Sequence, residues 1–280
     1  MKRVLLIGGS GQLGTAIRNG WSDCDIAAPP RAQLDLADEG GVRAAVERIR
    51  PEVLVNAAAF HDVDRCEHEP SRAFAINSVA VGVAARHARD CDAVFLTIST
   101  DYVFDGEANA PYAESFAPHP LSVYGVSKLA GEYLVEAARA RAFVVRTCGI
   151  YGRATGGRKS FIDRVLSQRR GEPPLRVVSD VLASPTFAGH LAGALRTLIE
   201  TEAYGLYHAV DVGPVSWYEF ACEAVRQAGA DATIEPITAA QRKADANRPR
   251  FSALENANLG RLGITMPSWR DGIAAYLALR

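Results

Sequence analysis

Tyr124 and Lys128 stand four residues apart in PLSVYGVSKLAGEYL, residues 120–134, a run of good helix formers. Residues four apart on a helix lie one above the other, so the two side chains would share a face. A free phenol has a pKa of about 10 and is a poor acid or base near neutrality. A cation held one turn away favours phenolate and lowers that value, fitting the phenol to exchange a proton. In a ketone reduction, hydride reaches the carbonyl carbon while such a phenol donates to the developing alkoxide. The Y-x-x-x-K spacing also occurs in ordinary helices, so position decides. The pair follows a strand ending TISTDYVFDG, which offers Ser99, Thr100 and Asp101 at its carboxyl end. Ligands of open α/β sheets bind outside the carboxyl ends of the strands.

A second group of residues points to the same crevice. VLLIGGSGQLGTAI reads as a strand, a turn with Gly8, Gly11 and Gly14 at three-residue spacing, then a helix. Small residues there allow a tight turn and let backbone N–H groups and the helix N-terminus approach a pyrophosphate. About twenty residues further on, an acid would favour NAD and an arginine the 2′-phosphate of NADP. The second strand ends DIAAPPRAQLD, with Arg31 and no acid at its tip. NADPH is therefore the expected cofactor, with NADH left open, as is an Arg31 that meets only water.

The elements that would position these groups alternate. Apolar runs VLLIG, VLVNAAA, AVFLTIS and AFVVRT are separated by helical segments QLGTAIRNGW, EGGVRAAVERIR, PSRAFAINSVAVGVAARHARD and SKLAGEYLVEAARA. Continuous apolar strands between helices predict a parallel sheet covered on both faces. The expected fold is α/β, a Rossmann-type doubly wound parallel sheet with a smaller C-terminal substrate lobe. Residues 1–150 form the dinucleotide-binding domain in this reading, joined by a returning strand and helix near 175–200. Residues 151–174 and 201–280 form the lobe.

The 280 residues are 48% apolar, enough for a large core, and 31 basic against 32 acidic side chains leave no charge bias toward nucleic acid. No apolar stretch approaches the roughly 20 residues that span a bilayer, and the N-terminal apolar run is too short for a signal peptide. Five dispersed cysteines without a C-x-x-C pair suggest a reduced, cytoplasmic protein without structural zinc. No metal is expected, since the six histidines lack ligand spacing; His61 and His68 are seven apart.

The run STDYVFDGEANAPYAES, followed by YGVSKLAGE, resembles the extended short-chain dehydrogenases, and within them the dTDP-4-dehydrorhamnose reductases and their sugar-nucleotide relatives. The resemblance extends through VLVNAAAF, DVDRCEHEP, AINS, RTCGIYG, ASPT, GLYHAV, SWYEFA and NRPRFSALE, and so spans the chain; the G-x-x-G-x-x-G spacing accords with it. It implies reduction of a nucleotide-linked 4-keto-deoxysugar, with dTDP-4-dehydro-β-L-rhamnose the expected substrate and Tyr124 the proton donor. Lys128 would hold the ribose and tune Tyr124, and Thr100 would orient the substrate carbonyl. Ser10, Gly11, Gln12 and Leu13 would sit on the pyrophosphate, Asp35 and Leu36 would flank the adenine, and Ala57, Ala58 and Ala59 would line the cofactor. Asp101 would lie beside the sugar, and Asn77 would support the site from a helix.

The departures from the family pattern fall in the substrate half. Gly149 stands where many members carry an aromatic residue, Ser160 where Asn is expected, and Val181 where Gln is usual. Losing an aromatic platform removes about 150–250 Å² of burial. Arg248 is a candidate for the nucleotide diphosphate together with Arg250, and solvation is the alternative for both. Arg153, Arg158 and Lys159 suggest a loop that closes over the substrate. Trp217 and Trp269 read as core anchors, and Cys148 and Cys222 as small buried apolar residues. Two rivals stay open: an epimerase or dehydratase that retains its nicotinamide, and a cofactor-binding regulatory subunit resembling the methionine adenosyltransferase beta subunit. An assembly of two copies is also left open.

Overall fold

A computed structural model of the chain describes every residue except 156, 158 and 170. The first half runs β1 (Lys2–Ile7), α1 (Gln12–Gly20), β2 (Cys24–Ala27), α2 (Glu39–Ile49), β3 (Val53–Asn56) and α3 (Val63–His68). α4 (Pro70–Phe74) continues through a π-helical turn, Ala75–Val79, into α5 (Ala80–Asp90), followed by β4 (Val94–Thr100), α6 (Val123–Ala137) and β5 (Ala142–Thr147). The second half holds α7 (Phe161–Leu166), β6 (Leu175–Val178), β7 (Leu182–Ala183), α8 (Ala188–Leu198), β8 (Gly205–His208) and β9 (Val215–Ser216). It ends with α9 (Trp217–Ala228), β10 (Ile234–Ile237), α10 (Ala257–Arg261) and α11 (Trp269–Leu277).

The main sheet is parallel throughout, in the order β2-β1-β3-β4-β5-β8. Every residue of β3 and β5 is buried, as a strand covered on both faces must be. One face packs Leu13 and Ile17 of α1 and Leu191, Leu195 and Leu198 of α8 against Val4, Val55 and Val145. The other packs Val42 and Val46 of α2, Val81 and Ala84 of α5 and Val135 of α6 against Leu5, Leu54 and Phe95. The strand order reverses between β1 and β3, which opens a crevice at their carboxyl ends.

The returning strand is not the one expected. The segment near 175 forms β6, which pairs with β10 outside the main sheet, whereas β8 joins β5 in parallel. The reason is topological: a parallel neighbour requires a crossover before it, so the strand must follow the returning helix. α8 supplies that crossover, and GLYHAV, not LRVV, comes after it. α7, α9 and α11 gather around Tyr151, Ile162, Phe187, Phe220, Trp269, Ile273 and Tyr276, a cluster of their own.

Candidate active site

A cavity of about 570 Å³ runs along the carboxyl ends of β1, β3, β4 and β5. Its wall includes Ser10, Gly11, Gln12 and Leu13 from the first turn, Ala57, Ala58 and Ala59 after β3, and Ser99, Thr100, Asp101, Tyr124 and Lys128. The size lies within the roughly 300–1,000 Å³ of small-ligand sites.

The glycine turn is shaped by close approach. Gly8 has φ +88°, and a Cβ there would stand 2.8 Å from the Ala57 carbonyl carbon. A Cβ on Gly14 would collide with the Gly8 carbonyl oxygen, so α1 can close onto β1 only because none is present. Gly11 caps α1 without a side-chain hydrogen bond, leaving the first N–H groups to an external acceptor.

Ser122 caps α6 by accepting from the Gly125 N–H at 3.2 Å, and Glu67 accepts from Val123 N–H at 2.8 Å. These two caps set the start of the helix, and with it Tyr124. Thr100 ends β4, where its hydroxyl donates to Asp101 at 3.0 Å and accepts from the Tyr102 N–H at 3.2 Å. Thr100 acts on the Tyr124 phenol from close by, favouring its ionised form, and both side chains line the cavity. The spacing argument has Lys128 lowering the phenol; in the structure burial outweighs everything else and pushes the Tyr124 phenol up. Lys128 spends its proton elsewhere, donating from Nζ to the Ile98 carbonyl at 2.6 Å. Burial lowers its ammonium to about 8, opposed by the Glu132 carboxylate.

That carboxylate belongs to a network the sequence did not signal. Glu132 accepts Arg146 Nε at 2.9 Å and Nη2 at 2.6 Å, and also accepts the Ser99 hydroxyl. Arg146 is buried and the Glu132 side chain is 9% exposed, and the Arg146 guanidinium lies 5.2 Å from the Phe104 ring centroid. Asn77, on the π-helical turn, donates to Ser127 Oγ at 3.0 Å and to the Phe60 carbonyl at 2.9 Å, and accepts the Phe60 N–H at 2.8 Å. Ser127 in turn donates to the Tyr124 carbonyl at 2.8 Å. Asp101 is buried, which pushes its carboxyl up against the opposing influence of Ser252, Cys148 and Thr100; Thr100 donates to its Oδ1, and its buried Oδ2 has no hydrogen-bond partner among the described residues. Burial and Asp101 together hold the Cys148 thiol well above its usual value.

Other expected residues lie outside the cavity wall. Arg31 is exposed and pairs with Asp35 at 2.9 Å, while Leu36 is packed in the core with Leu34, Val42 and Leu54. Arg248 grips Asp64 through both terminal nitrogens, at 2.9 and 2.8 Å. Arg250, Arg153 and Lys159 are exposed, and Arg158 falls outside the described residues. Trp217 was expected in the core, and it does pack on Phe161 at 5.1 Å between centroids. It also forms part of the cavity wall, together with Gly149 and Val181. No cluster of three His, Cys, Asp or Glu suited to a metal occurs among the described residues.

A doubly wound parallel sheet with a glycine turn on its first strand and Tyr and Lys on the helix after its fourth is the design of an extended Rossmann-type dehydrogenase/reductase. The chain belongs to the dTDP-4-dehydrorhamnose reductase family, matching the family model described as RmlD substrate binding domain over residues 1–279. It is 36% identical over 284 residues to the dTDP-4-dehydrorhamnose reductase of Streptomyces griseus, covering 97% of this chain and 91% of that protein. It is 33% identical over 282 residues to the spore coat polysaccharide biosynthesis protein SpsK of Bacillus subtilis (strain 168), covering 100% and 98%. The structure of dTDP-4-dehydrorhamnose reductase from Bacillus anthracis str. Ames in complex with NADP matches with a TM-score of 0.95 at 32% identity, covering 100% of this chain and 99% of that one.

Proposed function

We propose that the chain reduces the 4-keto group of dTDP-4-dehydro-β-L-rhamnose to give dTDP-L-rhamnose, with NADPH as the preferred reductant. The observation that carries this reading is that Tyr124, Lys128 and Thr100 line the same cavity as the glycine turn. The turn fits a dinucleotide, since its backbone N–H groups and the tight Gly8–Gly14 contact leave room for a pyrophosphate at the α1 N-terminus. Ser10 to Leu13 would hold that pyrophosphate, Ala57 to Ala59 would line the nicotinamide side, and Asp35 would lie toward the adenine. NADPH bound there supplies the hydride.

The protein's own part is proton delivery and alignment. Thr100 and Tyr124 hydroxyls would hold the keto oxygen between them, orienting the carbonyl carbon. A phenol held above its usual value stays protonated across the neutral range, the form required to donate to an alkoxide. Lys128 would place its ammonium against the cofactor ribose. Asp101 would accept from a sugar hydroxyl, and Arg248 would contact the nucleotide at the cost of loosening its Asp64 pair.

The test follows the fall in reduced-nicotinamide absorbance when purified protein meets dTDP-4-dehydro-β-L-rhamnose. Tyr124→Phe should lower kcat by about 100-fold or more, the range for a lost general acid. NADPH should outperform NADH in wild-type protein, and Arg31→Ala should weaken NADPH about tenfold or more while barely changing NADH, as loss of a phosphate contact predicts. The exposed Arg31–Asp35 pair contributes little and opens readily. Wild-type protein that binds NADPH but leaves this keto sugar untouched would sink the substrate assignment.

A further inference from the structure

Given that reading of the site, we propose that Trp217 is the specificity-determining wall of the sugar pocket, its indole packing on the apolar face of the keto-deoxyhexose. β4 and β5 pair in register so that Thr100 faces Thr147. Just beyond Thr147, Cys148 and Gly149 join Thr100 and Asp101 in the cavity wall, where the carbonyl would sit. Gly149 has φ +51°, and a Cβ there would lie 2.7 Å from Trp217 Cη2 and 3.3 Å from Cζ2. The edge of the indole thus occupies the space that a side chain at 149 would take, directly against the backbone that borders the reacting end. The indole is half-buried, and the cavity wall includes it.

Its position is fixed before any ligand arrives. Trp217 opens α9 immediately after Ser216, whose hydroxyl forms a capping box with Glu219. β9, which leads directly into Trp217, pairs with β7, which carries the cavity-lining Ala183. Phe161 and Phe220 meet the ring edge-on at 5.1 and 6.3 Å. Val181, Ala183 and Gly149 add small and apolar groups to the same wall, which also carries the polar Thr100, Asp101 and Tyr124. A 6-deoxyhexose suits such a mixed wall, since it carries both hydroxyls and C–H groups with a methyl. Pyranose C–H groups carry slight positive charge and pack favourably on the negative face of an indole.

The experiment is titration calorimetry with dTDP and with dTDP-L-rhamnose in the presence of NADPH, a combination that cannot react. The ratio of the two dissociation constants isolates what the sugar adds. Trp217→Ala should cut that ratio about tenfold, the scale of a lost aromatic contact, while dTDP and NADPH affinities stay within about twofold. Trp217→Phe, which preserves the packing on Phe161, should fall between. Gly149→Ala keeps the indole but displaces it and should cut the ratio as well. A wild-type ratio retained in Trp217→Phe and in whichever of the other two variants still binds NADPH overturns the proposal and leaves the reductase reading intact. A wild-type protein for which the sugar adds no affinity overturns both.

Discussion

Lys128 is 4% exposed, and its ammonium finds the Ile98 carbonyl at 2.6 Å and the Glu132 carboxylate beyond it. Burial wins over both and brings the group down to about 8 from 10.5. Between those two values the unfolded chain holds the proton and the folded protein does not, so stability rises with pH there. Below about 8 both states are charged and the full cost of burying the ammonium is present. Lys128→Met should therefore raise stability near pH 6.5, by at most about 3 kcal/mol, while abolishing reductase activity. Urea denaturation at pH 6.5 and pH 10 checks this, since the gain must shrink at the higher pH. An equal gain at both would mean that the ammonium is solvated in the folded state. Such a residue, costly to the fold and kept one turn from Tyr124, is the pattern expected of a functional site.

At the scale of elements, α6 is held to the rest of the molecule by small residues at points of close approach. A Cβ on Gly131 would collide with the Asn77 carbonyl, and one on Gly82 would lie 2.8 Å from Leu134 Cβ. The π-helical turn at Ala75–Val79 carries Asn77 into this contact, where it reaches Ser127 and through it the Tyr124 carbonyl. Gly131→Ala should push α6 from the π-turn, costing about 1–3 kcal/mol as an overpacked contact does. It should also lower kcat more than it raises the KM for NADPH, because Tyr124 moves while the glycine turn does not. Unchanged kcat in a destabilised protein would show that α6 and Tyr124 are positioned independently of this contact. Much of this region is legible in the sequence: the glycine trio, the Y-x-x-x-K pair and the strand ending in Thr100 each carry a local pattern. The π-turn is not, because AINSV keeps its apolar residues in a run that reads as uninterrupted helix. Nor is the Glu132–Arg146 pair, whose partners lie on different elements and meet only after the sheet forms. Trp217 fits an amphipathic helix, and only the proximity of Gly149 reveals that its ring borders a cavity.

Across the whole molecule, Asp211 joins parts that the sequence reads as separate. It follows β8, the last strand of the main sheet, and its carboxylate accepts the Phe187 N–H and the His190 ring, both at 3.0 Å, at the start of α8. Its own N–H goes to Thr186 Oγ1 at 3.2 Å. Gly272 of α11 lies so near that a Cβ there would collide with Asp211 Oδ2. Phe187 packs in turn on Tyr151 and Tyr276 of the smaller cluster. Sheet, crossover helix and lobe therefore converge on one carboxylate, which burial pushes up and His190 and the Phe187 N–H draw down. Asp211→Ala would leave a buried N–H and a histidine without their acceptor, a loss of about 3 kcal/mol or more. Asp211→Asn keeps an oxygen for Phe187 and should lose less than half as much. If the carboxylate couples the lobe to the sheet, urea unfolding of Asp211→Ala, followed by far-ultraviolet circular dichroism and by Trp fluorescence, should split into non-coincident transitions. The NADPH affinity measured before the first transition should remain near that of wild type, since Asp211 lies far along the chain from the glycine turn and outside the cavity wall. A single transition with an unchanged denaturant slope would mean that the apolar cluster around Tyr151 suffices to couple the two parts, and that Asp211 contributes only local stability.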